Sequence, residues 1–362
     1  VRTTPETVEE VSQAIQASER VRAAGGGTKS AMSCGAGLSL RKLSGIVDYT
    51  PQEFTFTARA GTPLAEVRDL LARHGQYLPF DPVLVEAGGT VGGTIASGLS
   101  GPGRQRFGGV RDFLLGVRFV TGTGEVHSGG GKVVKNAAGF DFPKLMVGAR
   151  GRFGILVEAT FKVFPRPAAY ATILADGYDP DGAADAVRRL GASSLELACL
   201  DYEPPGRLLL RIGGLPESLP RRIERTREFL SRDVETLHGE EDEAVWREAR
   251  EFLWQPEDAT LVKVPLTPSQ IEIVDRTVAL ACPSAARRYS VGGNVLWLAW
   301  PNRAGVEPLR EALARVDRNG VAVRGEPWGL VGEFGGGAFA QRLASVLDPA
   351  GRLQGADPAP VG

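Results

Sequence analysis

Cysteine and histidine are scarce in this 362-residue chain, with three of each. Cys34, Cys199 and Cys282 lie far apart and no CxxC occurs, which excludes a zinc ribbon and a thioredoxin-type redox motif. A cubane iron–sulfur cluster takes four thiolates, so the chain by itself is not expected to hold one. His74, His127 and His238 are isolated as well, and their spacing gives no metal-ligand pattern. An excess of one charge is also lacking. Lys plus Arg is 42 against 43 Asp plus Glu, a net charge of −1, without the basic surplus of a nucleic-acid-binding protein. No 18-residue apolar run is present, and the opening Val1–Glu6 has no apolar signal core. The expected location is therefore the reducing cytoplasm, with any membrane association arising through partners. The length predicts two domains, each with a core that needs no metal or disulfide staple.

Glycine is what the chain has in excess. There are 47, and fifteen of them fall between Val85 and Gly131. No Gly-X-Y period accompanies them, so collagen is excluded. Such density inside a folded domain means tight turns or close approach of backbone to a ligand.

Periodicity places the elements around these glycines. Thr4 as N-cap, Pro5 at the first position and an apolar stripe of Val8, Val11, Ala14 and Ile15 predict an opening helix. Alternation of Phe54, Phe56 and Ala58 with Thr55, Thr57 and Arg59 predicts a half-buried strand. A second helix starts at Thr62-Pro63 and stops at Gly75. Residues 113–120 and 125–127 read as a hairpin around Thr121–Gly124, and 154–164 as a further strand. Pro165-Arg166-Pro167 breaks the pattern. The expected division is a first domain of residues 1–167 and a second of 168–362. The second would hold strands at 195–200 and 208–212, charged helices at 220–232 and 240–254, and a C-terminal helix ending at Asp348-Pro349.

Two glycine clusters carry the chemistry. Gly25-Gly26-Gly27-Thr28-Lys29 follows a short strand and can form a nest of N–H groups for phosphate oxygens, or an ordinary flexible turn. No GxGxxG follows a strand, and Gly131-Lys132 is followed by Val133, which removes the Rossmann and Walker A motifs. The second cluster, Gly88 to Gly98 after Pro79-Phe80-Asp81-Pro82, has small residues at nearly every position. It offers bare backbone on which a flat ring or a diphosphate can lie. A third segment, Lys135 to Asp141, precedes Gly151–Ile155.

In this order, GGGTK, PFDP, GGTVGGTIASGLSGP, FGGVRDFLLG, KNAAGFD and GARGRFGILVEATFKVFPRP, the motifs resemble the FAD-binding domain of the vanillyl-alcohol oxidase type. Within that family they are most similar to the FAD-binding E subunits of bacterial glycolate oxidases. The resemblance runs from about Arg20 to Pro167. It implies an α+β fold: a two-subdomain FAD-binding domain followed by an α/β second domain. It further implies that Gly25, Gly26, Gly27, Thr28 and Lys29 form one pyrophosphate loop. Gly89, Thr90, Gly92, Gly93, Thr94, Ala96, Ser97 and Gly98 would form the other, with Pro82 beside the cofactor and Gly154-Ile155 pairing with one of its rings. Covalent members of the family place a histidine beside the first loop. Thr28, Lys29 and Ser30 stand here, so the implied FAD is noncovalent. Members often end in FDP followed by Asn-Pro-Gly, whereas this chain runs Leu347-Asp348-Pro349 to Arg352-Leu353-Gln354-Gly355.

The implied function is that of an FAD-binding subunit in a multi-chain glycolate oxidase. It would work beside a second FAD-containing chain and an iron–sulfur chain on a small 2-hydroxy acid, with no nucleic-acid partner. Related single-chain 2-hydroxy-acid dehydrogenases carry a histidine-rich metal site in their second domain, where this chain has His238 alone. Arg211, Arg287, Arg288 and Arg324 are candidate carboxylate holders. Trp246, Phe252, Leu253 and Trp254 are a candidate docking surface. The alternatives are a stand-alone FAD oxidoreductase of a small alcohol or hydroxy acid, and a scaffold whose FAD is structural.

Overall fold

The computed structural model describes residues 3–131, 140–333 and 337–355. Most of the KNAAGFD segment, Lys135 to Gly139, lies outside them. The chain divides into two compact units. The first comprises residues 1–100, 108–166 and 334–362, and the second residues 101–107 and 167–333.

The first unit is built on a five-stranded sheet in the order Ile46–Thr50, Thr55–Arg59, Ile155–Lys162, Leu114–Val120, Val126–Gly130, with every neighbouring pair antiparallel. The strand expected from alternation at 54–59 forms over Thr55–Arg59 but is not half-buried: Thr55 and Thr57 are buried with Phe56 and Ala58, and Phe54 stands exposed before it at φ +54°. Phe56 lies opposite Phe161 and Ala58 opposite Ala159, all buried. A short parallel ladder of Ala23–Ala24 with Leu38–Ser39 leads into the first glycine loop. The opening helix runs Val8–Gln16 and seats Val11 and Ile15 in the core. Its N-cap is Thr7 rather than Thr4, because the Thr7 hydroxyl accepts from Glu10 N at 3.2 Å.

The second unit holds a nine-stranded antiparallel sheet. Its order is Glu235–His238, Ala169–Ala175, Arg207–Gly214, Cys199–Glu203, Ala286–Ser290, Val295–Pro301, Ala259–Pro265, Gly320–Arg324, Leu330–Val331. Helices cover both faces, which is why Val295–Pro301 is buried at every position. Leu208, Leu210 and Ile212 face one core, with Val187, Val274 and Leu313 from the Pro180–Gly191, Ile271–Ala281 and Glu307–Arg315 helices. Leu209 faces the other way, onto Trp246 and Ala249 of the Gly239–Glu251 helix.

Three expectations need correction. The strand expected at 195–200 is Cys199–Glu203. The C-terminal helix, Gly337–Leu347, belongs to the first unit. Ala340, Leu343, Ala344 and Leu347 pack on that unit's core. Residues 101–107 join the second unit, where Arg106 Nη1 donates to the Glu196 carbonyl at 2.7 Å.

Candidate functional site

The two glycine clusters meet backbone to backbone. A Cβ on Gly25 would collide with Thr90 Oγ1, and one on Gly26 with the Gly88 carbonyl. Glycine at 25 and 26 therefore lets the loops touch. Gly27, at φ +71°, reverses the chain in the left-handed region. Arg41 donates from Nε to the Gly25 carbonyl at 3.3 Å and from Nη2 to the Gly26 carbonyl, which pins the loop from outside. In the second cluster Thr90 caps the Val91–Ser97 helix, accepting from Gly93 N at 3.3 Å. Gly98, at φ +64°, ends that helix.

An open cleft lies along this junction. Gly25, Gly26, Gly27, Thr28, Lys29, Thr90, Gly92, Gly93, Ala96, Ser97, Gly154 and Ile155 line it. Gly93 is the telling position: a Cβ there would meet only Thr90 Oγ1, at 3.1 Å. The missing side chain leaves space in the cleft rather than room for a neighbouring loop. Four residues of the expected set do not line it. Gly89 and Thr94 are buried behind the wall, Gly98 is the helix cap, and Pro82 is half-buried elsewhere.

Several lining residues escaped the sequence reading. Both methionines of the chain, Met32 and Met146, contribute to the wall, and thioethers pack well against flat rings. Arg150 and Gly151 add a third wall from the turn before Ile155. Among the described lining residues the charged ones are Lys29 and Arg150, both cations. A cleft with exposed backbone, polarizable apolar side chains and positive charge suits a flat heterocycle joined to a diphosphate. FAD fits that description.

The other candidates are committed elsewhere. Arg211 donates from Nε to Asp242 at 3.2 Å and stacks on Tyr170 at 4.1 Å. Arg287 pairs with Asp275 at 2.9 Å, Arg288 with Asp201 at 2.7 Å, and Arg324 donates to Gln255 at 2.7 Å. Each is thus ion-paired or hydrogen-bonded within the second unit. His74 packs edge-on against Tyr49, and His127 stacks on Phe119. His238 lies on the edge strand opposite Ala171. Among the described residues no His, Cys, Asp and Glu cluster could hold a metal ion. The aromatic docking surface is not one either. Trp246 and Phe252 are fully buried, Trp246 donating to Thr172 Oγ1 at 2.7 Å and Phe252 stacking edge-on against Trp297. Leu253 is exposed.

Residues 1–130, which carry most of the cleft's lining, match the family described as FAD binding domain. Among curated proteins the chain is similar to glycolate oxidase subunit GlcE of Escherichia coli, 43% identical over 165 residues, which are 45% of this chain and 47% of that protein. It is 29% identical over 165 residues to glycolate oxidase subunit GlcD of Bacillus subtilis, 46% of this chain and 35% of that one. A D-2-hydroxyglutarate dehydrogenase of Xanthomonas citri is 35% identical over 130 residues, 36% and 27% of the two chains. The matched region thus spans under half the length of each relative. Two solved structures share the fold. They are alkyldihydroxyacetonephosphate synthase (TM-score 0.70, 16% identity, 99% of this chain and 75% of that one) and p-cresol methylhydroxylase with substrate bound (TM-score 0.74, 12% identity, 97% and 87%).

Proposed function

We propose that this chain is an FAD-carrying subunit of a multi-chain glycolate oxidase, taking part in the oxidation of glycolate to glyoxylate. The observation that carries the reading is the cleft walled by the two glycine loops, in a chain similar to a glycolate oxidase subunit. When bound, FAD supplies a two-electron acceptor. The chain's own residues hold it. Gly25 to Thr28 and Thr90 to Gly93 offer backbone and hydroxyl donors to the diphosphate, Gly154 and Ile155 offer backbone to a ring, and Lys29 adds charge. The attachment is noncovalent, since Thr28, Lys29 and Ser30 occupy the stretch where covalent relatives carry histidine.

Oxidising a hydroxy acid also requires a base for the hydroxyl proton and a cation for the carboxylate. Arg211, Arg287, Arg288 and Arg324 are engaged within the second unit and its histidine lies on an edge strand. This supports a division of labour in which a second FAD-containing chain binds the hydroxy acid and an iron–sulfur chain takes the electrons onward. The second unit would serve partner docking or cover the substrate. Among the described residues no helix is long and apolar enough to cross a membrane, so association with a membrane would come through partners.

Reconstitution tests the proposal. Glycolate-dependent dye reduction is measured for this chain alone, for the other subunits alone, and for the mixture. Activity restored only by the mixture is the expected result. Full activity from this chain alone would overturn the subunit reading in favour of a stand-alone FAD oxidoreductase.

A further inference from the structure

The two cations of the cofactor cleft come from distant parts of the chain. Lys29 closes the first glycine loop and is 7% exposed. Arg150 sits in the turn that precedes the Ile155–Lys162 strand, and its backbone lies at φ +53°. That is the left-handed region, which costs an L side chain energy and costs glycine none. The same turn places Gly148 at φ +77° and Gly151 at φ +85°. Of its three left-handed positions, two are glycine and the third, on the cleft wall, is arginine. Arg150 N donates to the Ala96 carbonyl at 2.9 Å, which ties this turn to the Val91–Ser97 helix of the second glycine loop.

A strained backbone position at a ligand cleft, filled by the residue type best suited to phosphate, points to a role for the side chain. We propose that Arg150 is a diphosphate-binding residue of the FAD site, sharing the negative charge of the dinucleotide with Lys29. The inference rests on the FAD reading and adds a residue to it. Backbone N–H donors orient a diphosphate but carry no net charge. A guanidinium adds forked, charge-assisted hydrogen bonds that are about twice as strong as neutral ones. The charged groups among the described lining residues, Lys29 and Arg150, are both positive, which suits a diphosphate.

The test uses the full chain stripped of flavin, as wild type, Arg150→Gly and Arg150→Gln. Each is titrated separately with FAD and with ADP, which carries the diphosphate without the flavin, and the flavin-free melting temperature is recorded. Glycine relieves the left-handed strain, so Arg150→Gly is expected to melt no lower than wild type. Both variants are expected to bind FAD and ADP about tenfold more weakly or worse, the size of one charge-assisted hydrogen bond, with a shallower dependence on salt. Unchanged affinity for both ligands overturns the proposal. Weakened FAD binding with unchanged ADP binding also overturns it, because the residue then acts on the flavin ring. A fall in flavin-free melting temperature that accompanies the affinity loss in both variants assigns Arg150 a structural role and overturns it as well. A wild type that binds neither ligand would refute the FAD reading itself.

Discussion

Asp348 stands where a side chain on Gly122 would have to go: a Cβ at Gly122 would run into the Asp348 carboxylate. That carboxylate accepts from Arg352 N at 2.9 Å and Leu353 N at 2.6 Å. Gly122 N in turn donates to the Leu347 carbonyl at 2.9 Å, and Arg352 Nη1 donates to the Gly122 carbonyl at 3.0 Å. The strap continues past Val21, whose N donates to the Arg352 carbonyl at 2.7 Å and whose carbonyl accepts from Gln354 N at 2.9 Å. Val21 leads directly into the first glycine loop. The C-terminal segment thus braces a wall of the cofactor cleft without an Asn-Pro-Gly sequence.

Removing that brace has a measurable cost. Asp348→Ala leaves two part-buried N–H donors without their acceptor, and Gly122→Ala forces the strap away. Each is expected to destabilise the first unit by about 1–3 kcal/mol. Thermal melting monitored by flavin fluorescence reads this. A melting temperature equal to wild type in both variants would remove the strap from the account of the site.

Gly93→Val is expected to abolish FAD binding while the chain still folds, because among the described residues a Cβ there has Thr90 Oγ1 as its neighbour within 4 Å and the position lines the cleft. Gly191→Val is the control. Gly191 ends the Pro180–Gly191 helix of the second unit with nothing within 4 Å of its Cβ position. Flavin content per chain of the two purified variants decides the matter, and equal occupancy would contradict the loop assignment.

The flavin is expected to leave the protein on acid precipitation, giving a yellow supernatant whose chromophore is FAD. Colour retained in the washed pellet would show a covalent link and contradict the assignment at Thr28, Lys29 and Ser30.

Stability in acid should depend on Glu243. Burial alone would raise its carboxyl, but the Arg250 and Arg211 guanidinia outweigh burial and hold it below the usual carboxylate range. Arg211 lies 2.9 Å from it. A carboxyl depressed in the folded state stabilises the fold above its unfolded value of about 4.3, and that contribution is lost as pH falls through the folded value. Glu243→Gln is therefore expected to lower the melting temperature at pH 7, with the gap to wild type closing as the pH falls below the unfolded value and through the lower folded one. A gap independent of pH would assign the effect to packing.

Much of the fold was legible because it is local. The stripe of Val8, Val11 and Ile15 and the small-residue run from Gly88 to Gly98 each reflect constraints between near neighbours in sequence. The resemblance rested on the order of such segments. Trp246 shows where this fails. A tryptophan beside charged residues on a helix has the same local pattern whether its face is covered or bare, and here Leu174 and Leu209 of the sheet cover it.

The sequence by itself determined that the chain has two glycine-rich loops, no CxxC and no closely spaced histidines, and an order of motifs that resembles an FAD-binding domain. Only the tertiary structure decided that Gly25 and Gly26 pack on Gly88 and Thr90, and that Lys29 and Arg150 share one cleft. It also decided that Arg211, Arg287 and Arg288 are held by carboxylates, and that the C-terminal helix returns to the first unit. The reason is the range of the forces involved. Backbone preference and periodicity act over a few residues and are written in the local sequence. Burial, ion pairing and steric exclusion act between surfaces that meet only once the chain is folded.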